Sequence, residues 1–364
     1  MLVYLENYTY HSLISKNDSL KLYLIKGLSL EKNAFTCEPF KSISHLDLHD
    51  SEIKILRNGC FNGLDNLKSL NLKYCDIDDI EDDVFIDLPN LNELDLTFNK
   101  LKRIKSSLFN GLTKLKKLCL NQLTINKIDD NCFDQLINLK SLELIETKVK
   151  EPFHNDLFKE LTNLISLNVH QFEFEIIEET TNPFKILSGL KNFRESQNYL
   201  HLLNQTQKLL LTEVHYVNAN VPKLINGYFN GFTGLKKLTL NTCLTSKEIE
   251  DDVFDDLSNL QVLKLINNRL RGHNFHKLFK KLTKLRKLYL NENLIFTIQK
   301  DYFQSLVNLN VLELKSCYLK SIDLNAFSSL MKLNKLNLTG NQDILNMYHK
   351  KDFEFLPKLK NFSI

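Results

Sequence analysis

The chain has 364 residues, 47 basic and 44 acidic, for a formal charge of +3, and 43% of it is hydrophobic. Seventy-one residues are leucine and 41 are asparagine, so leucine alone makes up about a fifth of the protein, roughly twice ordinary usage. The hydrophobic content excludes a disordered chain, and ten glycines and six prolines exclude a low-complexity or collagenous one; seven cysteines are too few for a disulfide scaffold, and bulk charge names no partner.

The first ten residues lack a basic start, an apolar stretch and a small-residue cleavage site, so they do not read as a signal peptide. No run of about 18 apolar residues marks a membrane span. Either the protein is intracellular or the chain lacks a targeting segment. Residues 1–39 read as a degenerate first repeat or cap, with Leu20, Leu22 and Ile25 in strand slots.

From 40 to 364 a repeat runs through the chain. Its register is set by Leu91-x-x-Leu94-x-Leu96-x-x-Asn99-x-Leu101, followed by Phe109 and Leu112. The first position recurs at Ile43, Leu67, Leu91, Leu115, Leu139, Leu164 and Leu190, then at Thr206, Leu235, Leu260, Leu285, Leu309, Leu333 and Leu359. Most steps are 24 to 26 residues, but this register cuts unit 190–205 to 16 and stretches unit 206–234 to 29. Together with a convex insertion at 172–183, these breaks make 164–234 the irregular part of about 13 or 14 units. They change local curvature and offer a loop for ligand contact, or record repeat decay.

Leu at positions 1, 4 and 6 with polar residues between them makes a short strand with one buried face. Position 9 is Asn99, Asn198, Asn268, Asn293 or Asn341, and Cys75, Cys243 or Cys317 elsewhere. A buried Asn there bonds free backbone groups of the neighbouring turn and forms a ladder along the stack. The remaining asparagines read as dispersed background. Phe recurs near position 19 at 61, 85, 109, 133, 158, 184, 229, 254, 279, 303, 327 and 353, a spine on the convex side. One unit cannot bury its own face; stacked units can.

These residues resemble the leucine-rich repeat family of the typical 24-residue class, as in Toll-like receptor, Slit and chaoptin-type ectodomains. The resemblance covers residues 17–364. It implies a right-handed α/β solenoid, a horseshoe with a parallel β-sheet on its concave face and short helical or irregular turns on its convex face. It also implies a non-enzymatic recognition module. Unlike such ectodomains, neither end carries a cysteine cluster, and the chain stops inside a strand motif at Leu359-x-x-Phe362-x-Ile364, as a fragment would.

No motif in the chain carries catalytic chemistry. There is no phosphate loop, nucleophile elbow or zinc helix. Five cysteines sit at packing positions, Cys119 points outward at position 5, and Cys37 lies in the first unit. Acidic clusters at Glu81-Asp82-Asp83, Asp129-Asp130 and Glu250-Asp251-Asp252 read as caps of their own turns rather than calcium sites. His45 and His49 lie about 13 Å apart along a strand, too far to share one ion. No metal or cofactor follows. Five glycosylation sequons, at Asn7, Asn17, Asn204, Asn337 and Asn361, match chance for this composition.

Recognition residues are sought at positions 2, 3, 5, 7 and 8, which face outward. That face carries sixteen bases against nine acids, a net of +7, leaving −4 for everything else. From Leu164 onward it holds eleven bases, Lys208 among them, and three acids, Glu213, Glu292 and Glu313. The candidate ligand-binding residues are Arg194, Lys236, Lys237, Lys264, Arg286, Lys287 and Lys315, with Tyr74, Phe98 and Tyr289 as aromatic anchors. The expected partner is a protein or other macromolecule of acidic character. Nucleic acid is disfavoured, because aromatics beyond Tyr289 do not interleave with the bases. The chain then reads as a receptor or adhesion module at the cell surface or outside it, or alternatively as a cytoplasmic scaffold or adaptor.

Overall fold

The computed structural model describes residues 14–15, 18–22, 25–152, 156–173, 187, 189–195, 199–219, 221, 223–244, 249–271 and 275–364. The chain divides into two compact units, 1–190 and 191–364. Each is a stack of parallel strands joined by tight turns. In the first, an antiparallel hairpin of Ile14–Ser15 with Ser19–Lys21 opens the sheet. Parallel strands then follow at His45–Asp47, Ser69–Asn71, Glu93–Asp95, Lys117–Cys119, Ser141–Glu143 and Ser166–Val169. Their central residues, Leu20 through Leu46, Leu70, Leu94, Leu118, Leu142 and Leu167, pair in register. All are buried, so the alternation read from the sequence sets the sheet.

The second unit repeats the plan in eight rungs: Asn192–Glu195, Glu213–Val217, Lys237–Asn241, Val262–Lys264, Lys287–Tyr289, Val311–Glu313, Lys335–Asn337 and Asn361–Ser363. Phe spines back both sheets. Phe61 and Phe85 stack at 5.9 Å between ring centroids, as do Phe229 and Phe254, while Phe109, Phe133 and Phe158 follow one another at 5.8 Å. Phe184, Asn198 and most of the 172–183 segment lie outside the described residues.

The asparagine ladder is built as the repeat requires. Asn293 Nδ2 donates to the carbonyls of Leu265 in the preceding unit and Leu290 in its own, each at 2.7 Å. Its Oδ1 accepts the backbone N–H groups of Asn268 and Leu270. Asn99 and Asn341 do the same, while Asn268 accepts from the adjacent residues Cys243 and Leu244 and donates to the preceding unit alone. Ser51 and Thr147 fill the same position with a hydroxyl that donates to one carbonyl and accepts one N–H, and cysteine offers its thiol at Cys75 and Cys317.

The other asparagines are not background. At the last position of their units, Asn66, Asn90, Asn138, Asn163, Asn259 and Asn308 each donate to a carbonyl of the preceding unit, at 2.7 to 2.9 Å. At position 5, Asn71, Asn168 and Asn337 accept the N–H two residues on.

Three further expectations are corrected. The unit placed at Thr206 starts instead at Leu211. Residues Gln205–Leu210 form a helix whose N-cap Asn204 and Gln207 bond reciprocally, and Val214 and Tyr216 take the strand slots. The steps become 21 and 24 residues, and Lys208 leaves the sheet face, reducing that face to fifteen bases against nine acids. The acidic clusters cap the turn of the preceding unit, not their own: Glu81 accepts from Asn58 N, Asp129 from Ser106 N and Glu250 from Asn226 N, whereas Asp323 caps its own turn. Cys119 faces outward but is only 5% exposed, between Asp95 and Glu143 of the adjacent strands.

Burial pushes the Cys60, Cys75 and Cys317 thiols up to about 12, and only Cys37 is exposed. A thiol reagent should therefore label Cys37 alone in the native protein and all seven cysteines in denaturant. Replacing Asn293 by Ala strands four buried backbone groups and is expected to cost at least about 3 kcal/mol in urea melts. Asn293→Cys should cost less. A Cβ on Gly234 would run into the Leu209 carbonyl at the helix end, so Gly234→Ala should lose about 2 kcal/mol.

Candidate functional site

Only residues that point away from the core are free to vary, so the open face of each sheet is where recognition is built. In the first unit that face is largely satisfied from within. Asp47 Oδ1 accepts from Asn71 Nδ2 at 2.8 Å and lies 2.7 Å from His49 Nδ1, and Asp95 accepts the Thr97 N–H. The two histidines are thus occupied separately, His49 by Asp47 and His45 by Ser44. Glu143 accepts from Asn121 and lies 3.7 Å from Lys117.

Position 8 follows each strand in the left-handed backbone region in every unit with a described residue there. In the first unit Asp50, Tyr74, Phe98, Gln122, Glu146 and Gln171 all have φ between 50° and 57°. Bulky side chains rarely adopt it. Here it swings the side chain of position 8 onto its counterpart in the next repeat. The Tyr74 and Phe98 rings consequently stack on each other, 4.1 Å apart at 20°, with Lys73 Nζ 5.0 Å above the Tyr74 ring. Tyr74 remains 42% exposed and Phe98 is half-buried. The pair offers a rigid edge rather than two free ring faces.

The second unit differs. Position 5 brings Arg194, His215, Thr239, Lys264, Tyr289 and Glu313 into one line across successive strands. Lys264 Nζ sits 5.0 Å over the Tyr289 ring, so two candidate residues are joined in one cation–π contact. Lys237 Nζ reaches Glu213 at 3.0 Å, and Lys335 reaches Glu313 at 2.8 Å. Arg194, Lys236, Arg286, Lys287 and Lys315 are exposed, and among the described residues none of them has a carboxylate partner. The aromatic pair lies on the face of the first unit and the basic row on the face of the second.

The sequence reading missed His215, because the Thr206 register placed it off the face. Its Nε2 lies 3.1 Å from Glu213 and its Nδ1 3.1 Å from Thr239 Oγ1. Burial holds its pKa below the usual value, helped by the charges of Lys237 and Arg194 and opposed by Glu213. Burial also works to raise Glu213, but its bonds with Lys237 and His215 outweigh that and hold it below the ordinary carboxylate range. Because the folded pKa of His215 lies below the unfolded one, the unfolded chain takes up the proton first. The stability this neutral imidazole brings is complete above 6.5 and falls as pH drops below it. NMR titration should place His215 below 6.5, and Glu213→Gln should lower it further.

Among the described residues, no group of three or more His, Cys, Asp and Glu side chains is placed to hold a metal, and no helix is long and apolar enough to cross a membrane. A Leucine rich repeat model matches residues 41–101, 89–149, 233–295 and 283–342. The unmatched middle holds the register change. Human Toll-like receptor 8 is 29% identical over 174 residues, 43% of this chain and 16% of that receptor. The chain therefore spans about a sixth of that relative's length. A structure of the Drosophila Toll–Spätzle complex matches at TM-score 0.70 and 21% identity, over 98% of this chain and 53% of the other. A Leptospira interrogans leucine-rich repeat protein matches at 0.66 and 21%, over 92% and 81%, and a Listeria monocytogenes internalin at 0.56 and 18%, over 98% and 88%. These solved structures share the parallel-strand solenoid. With more than half its length matched and its ladders in place, the chain belongs to the leucine-rich repeat family, whose members recognise partners rather than catalyse reactions.

Proposed function

We propose that the chain is a non-enzymatic recognition module of receptor or adhesion type, acting at the cell surface or outside it. It engages an acidic macromolecular ligand on the open face of its second unit. The observation that carries this reading is the uncompensated charge there. The three acids of that face are Glu213, Glu292 and Glu313; Lys237 and Lys335 occupy two of them, while Arg194, Lys236, Arg286, Lys287 and Lys315 stand without partners among the described residues. Such a field steers an oppositely charged partner and selects against like-charged ones. The likeness to Toll-like receptor 8, and to a structure in which Toll is bound to Spätzle, supports the receptor reading.

The test is affinity capture of partners, followed by titration of the captured ligand against salt. Affinity should fall at least about tenfold as salt rises from about 50 to 200 mM. Arg286→Gln with Lys287→Gln should weaken binding about tenfold while leaving the melting temperature unchanged. Binding that ignores both salt and these substitutions would remove the sheet face from the reading.

A further inference from the structure

The bases of the second unit are not scattered over its open face; at positions 2 and 3 they are periodic. Counting the eight strands as rungs, Lys191 lies beside the first, Lys236 and Lys237 on the third, Arg286 and Lys287 on the fifth, and Lys335 on the seventh. The rungs between them carry no base at these positions until Lys360 at the eighth. The fourth has Gln261 and Val262, and the sixth has Asn310 and Val311. Neighbouring strands are ~4.8 Å apart, so the cations recur about every 10 Å along the stack.

Two features separate this from charges that merely avoid one another. First, the only acid at positions 2 and 3 in the unit, Glu213, is taken by Lys237 and His215, so Lys236, Arg286 and Lys287 keep their full field. Second, the fourth and sixth rungs carry no charge at positions 2 and 3. Each pairs one amide, able to donate and accept, with one half-buried valine that presents an apolar surface level with the sheet.

We propose that the third to sixth rungs of this sheet bind a linear acidic polysaccharide whose acid groups fall on alternate sugars, lying along the stack. One acidic sugar meets Lys236, beside Lys237 on Glu213, and the next acidic sugar meets Arg286 and Lys287. Each neutral sugar lies over an amide–valine rung, where Gln261 or Asn310 bonds its hydroxyls and Val262 or Val311 packs on its C–H face. An extended acidic peptide fits this face less well, because the backbone groups it would need to pair with are consumed within the sheet. Single-stranded nucleic acid would call for stacking faces, and the one ring here, Tyr289, is covered by Lys264. This inference rests on the acidic-ligand reading above and specifies its ligand.

The experiment measures affinity of the full chain by calorimetry for four probes of equal charge: a hyaluronan oligosaccharide, an oligogalacturonate, poly-glutamate and single-stranded RNA. Hyaluronan has one carboxylate per two sugars and should bind at least about tenfold tighter than the rest. The charge-preserving exchange Lys236→Gln with Gln261→Lys breaks the period and should lose that preference, whereas Lys281→Gln, exposed on the turn side, should change nothing. Thermal melts confirm that each variant is folded. If poly-glutamate or RNA binds as tightly as hyaluronan and the exchange is silent, the polysaccharide is overturned while the acidic-ligand reading stands. If no probe binds, the polysaccharide is overturned, and if the captured partner is also indifferent to Arg286→Gln with Lys287→Gln, the acidic-ligand reading falls with it.

Discussion

The structure depends on how the buried backbone is satisfied where each short strand ends. A strand of three residues gives way to a turn inside the stack, and the turn leaves N–H and C=O groups away from water, each costly if unpaired. Asparagine answers this because one amide supplies two donors and an acceptor, and Asn293 uses all three on two repeats at once. Where position 9 holds Ser51, Thr147 or a cysteine, fewer groups are met. Where it is Ala219, the side chain meets none, and there the strands Glu213–Val217 and Lys237–Asn241 lengthen to five residues.

The leucine slots and the phenylalanine spine were legible in the sequence because burial restricts those positions to one kind of residue. The change of register near 206 was not. Thr206-x-x-Leu209-x-Leu211 satisfies the strand pattern on paper, yet Leu209 is 47% exposed and belongs to a helix. The signal that could have found it is the capping pair Asn204 and Gln207 ahead of the run, together with Leu211, Val214 and Tyr216 behind it. The second asparagine ladder was hidden for another reason. The last position of the unit is Asn in some repeats and Lys in others, and Lys114, Lys284 and Lys332 bond the asparagine of the preceding unit there, so composition alone did not mark it.

The two open faces show how one repeat yields surfaces of different character. In the first unit, acids at position 5 turn back to their own backbone or to adjacent side chains, and the aromatics at position 8 pack against each other. Little is left for a partner beyond the exposed edge of Tyr74. In the second unit, position 5 changes to Arg194, His215, Thr239, Lys264 and Tyr289. His215 bonds Thr239 and Glu213, and Lys264 lies over Tyr289. Arg194 stands without a carboxylate partner among the described residues, as do Lys236, Arg286, Lys287 and Lys315. The candidate residues drawn from the sequence are present, but half of them act in pairs: Lys264 with Tyr289, Lys237 with Glu213, and Tyr74 with Phe98.

Both asparagine ladders and the acids Glu81 and Glu250 reach in the same direction. Asn341 secures groups of the unit that starts at Leu309, Asn293 those of the unit at Leu260, and Glu250 a turn near Asn226. Each repeat is thus completed by its successor, as one roof tile is held down by the next. Removing any repeat breaks strand bonds on both of its sides, and on its N-terminal side it also strips the side-chain partners from the turn. Loss of one repeat therefore leaves the repeat before it short of side-chain caps as well as strand bonds, an asymmetry set by the polarity of the asparagines.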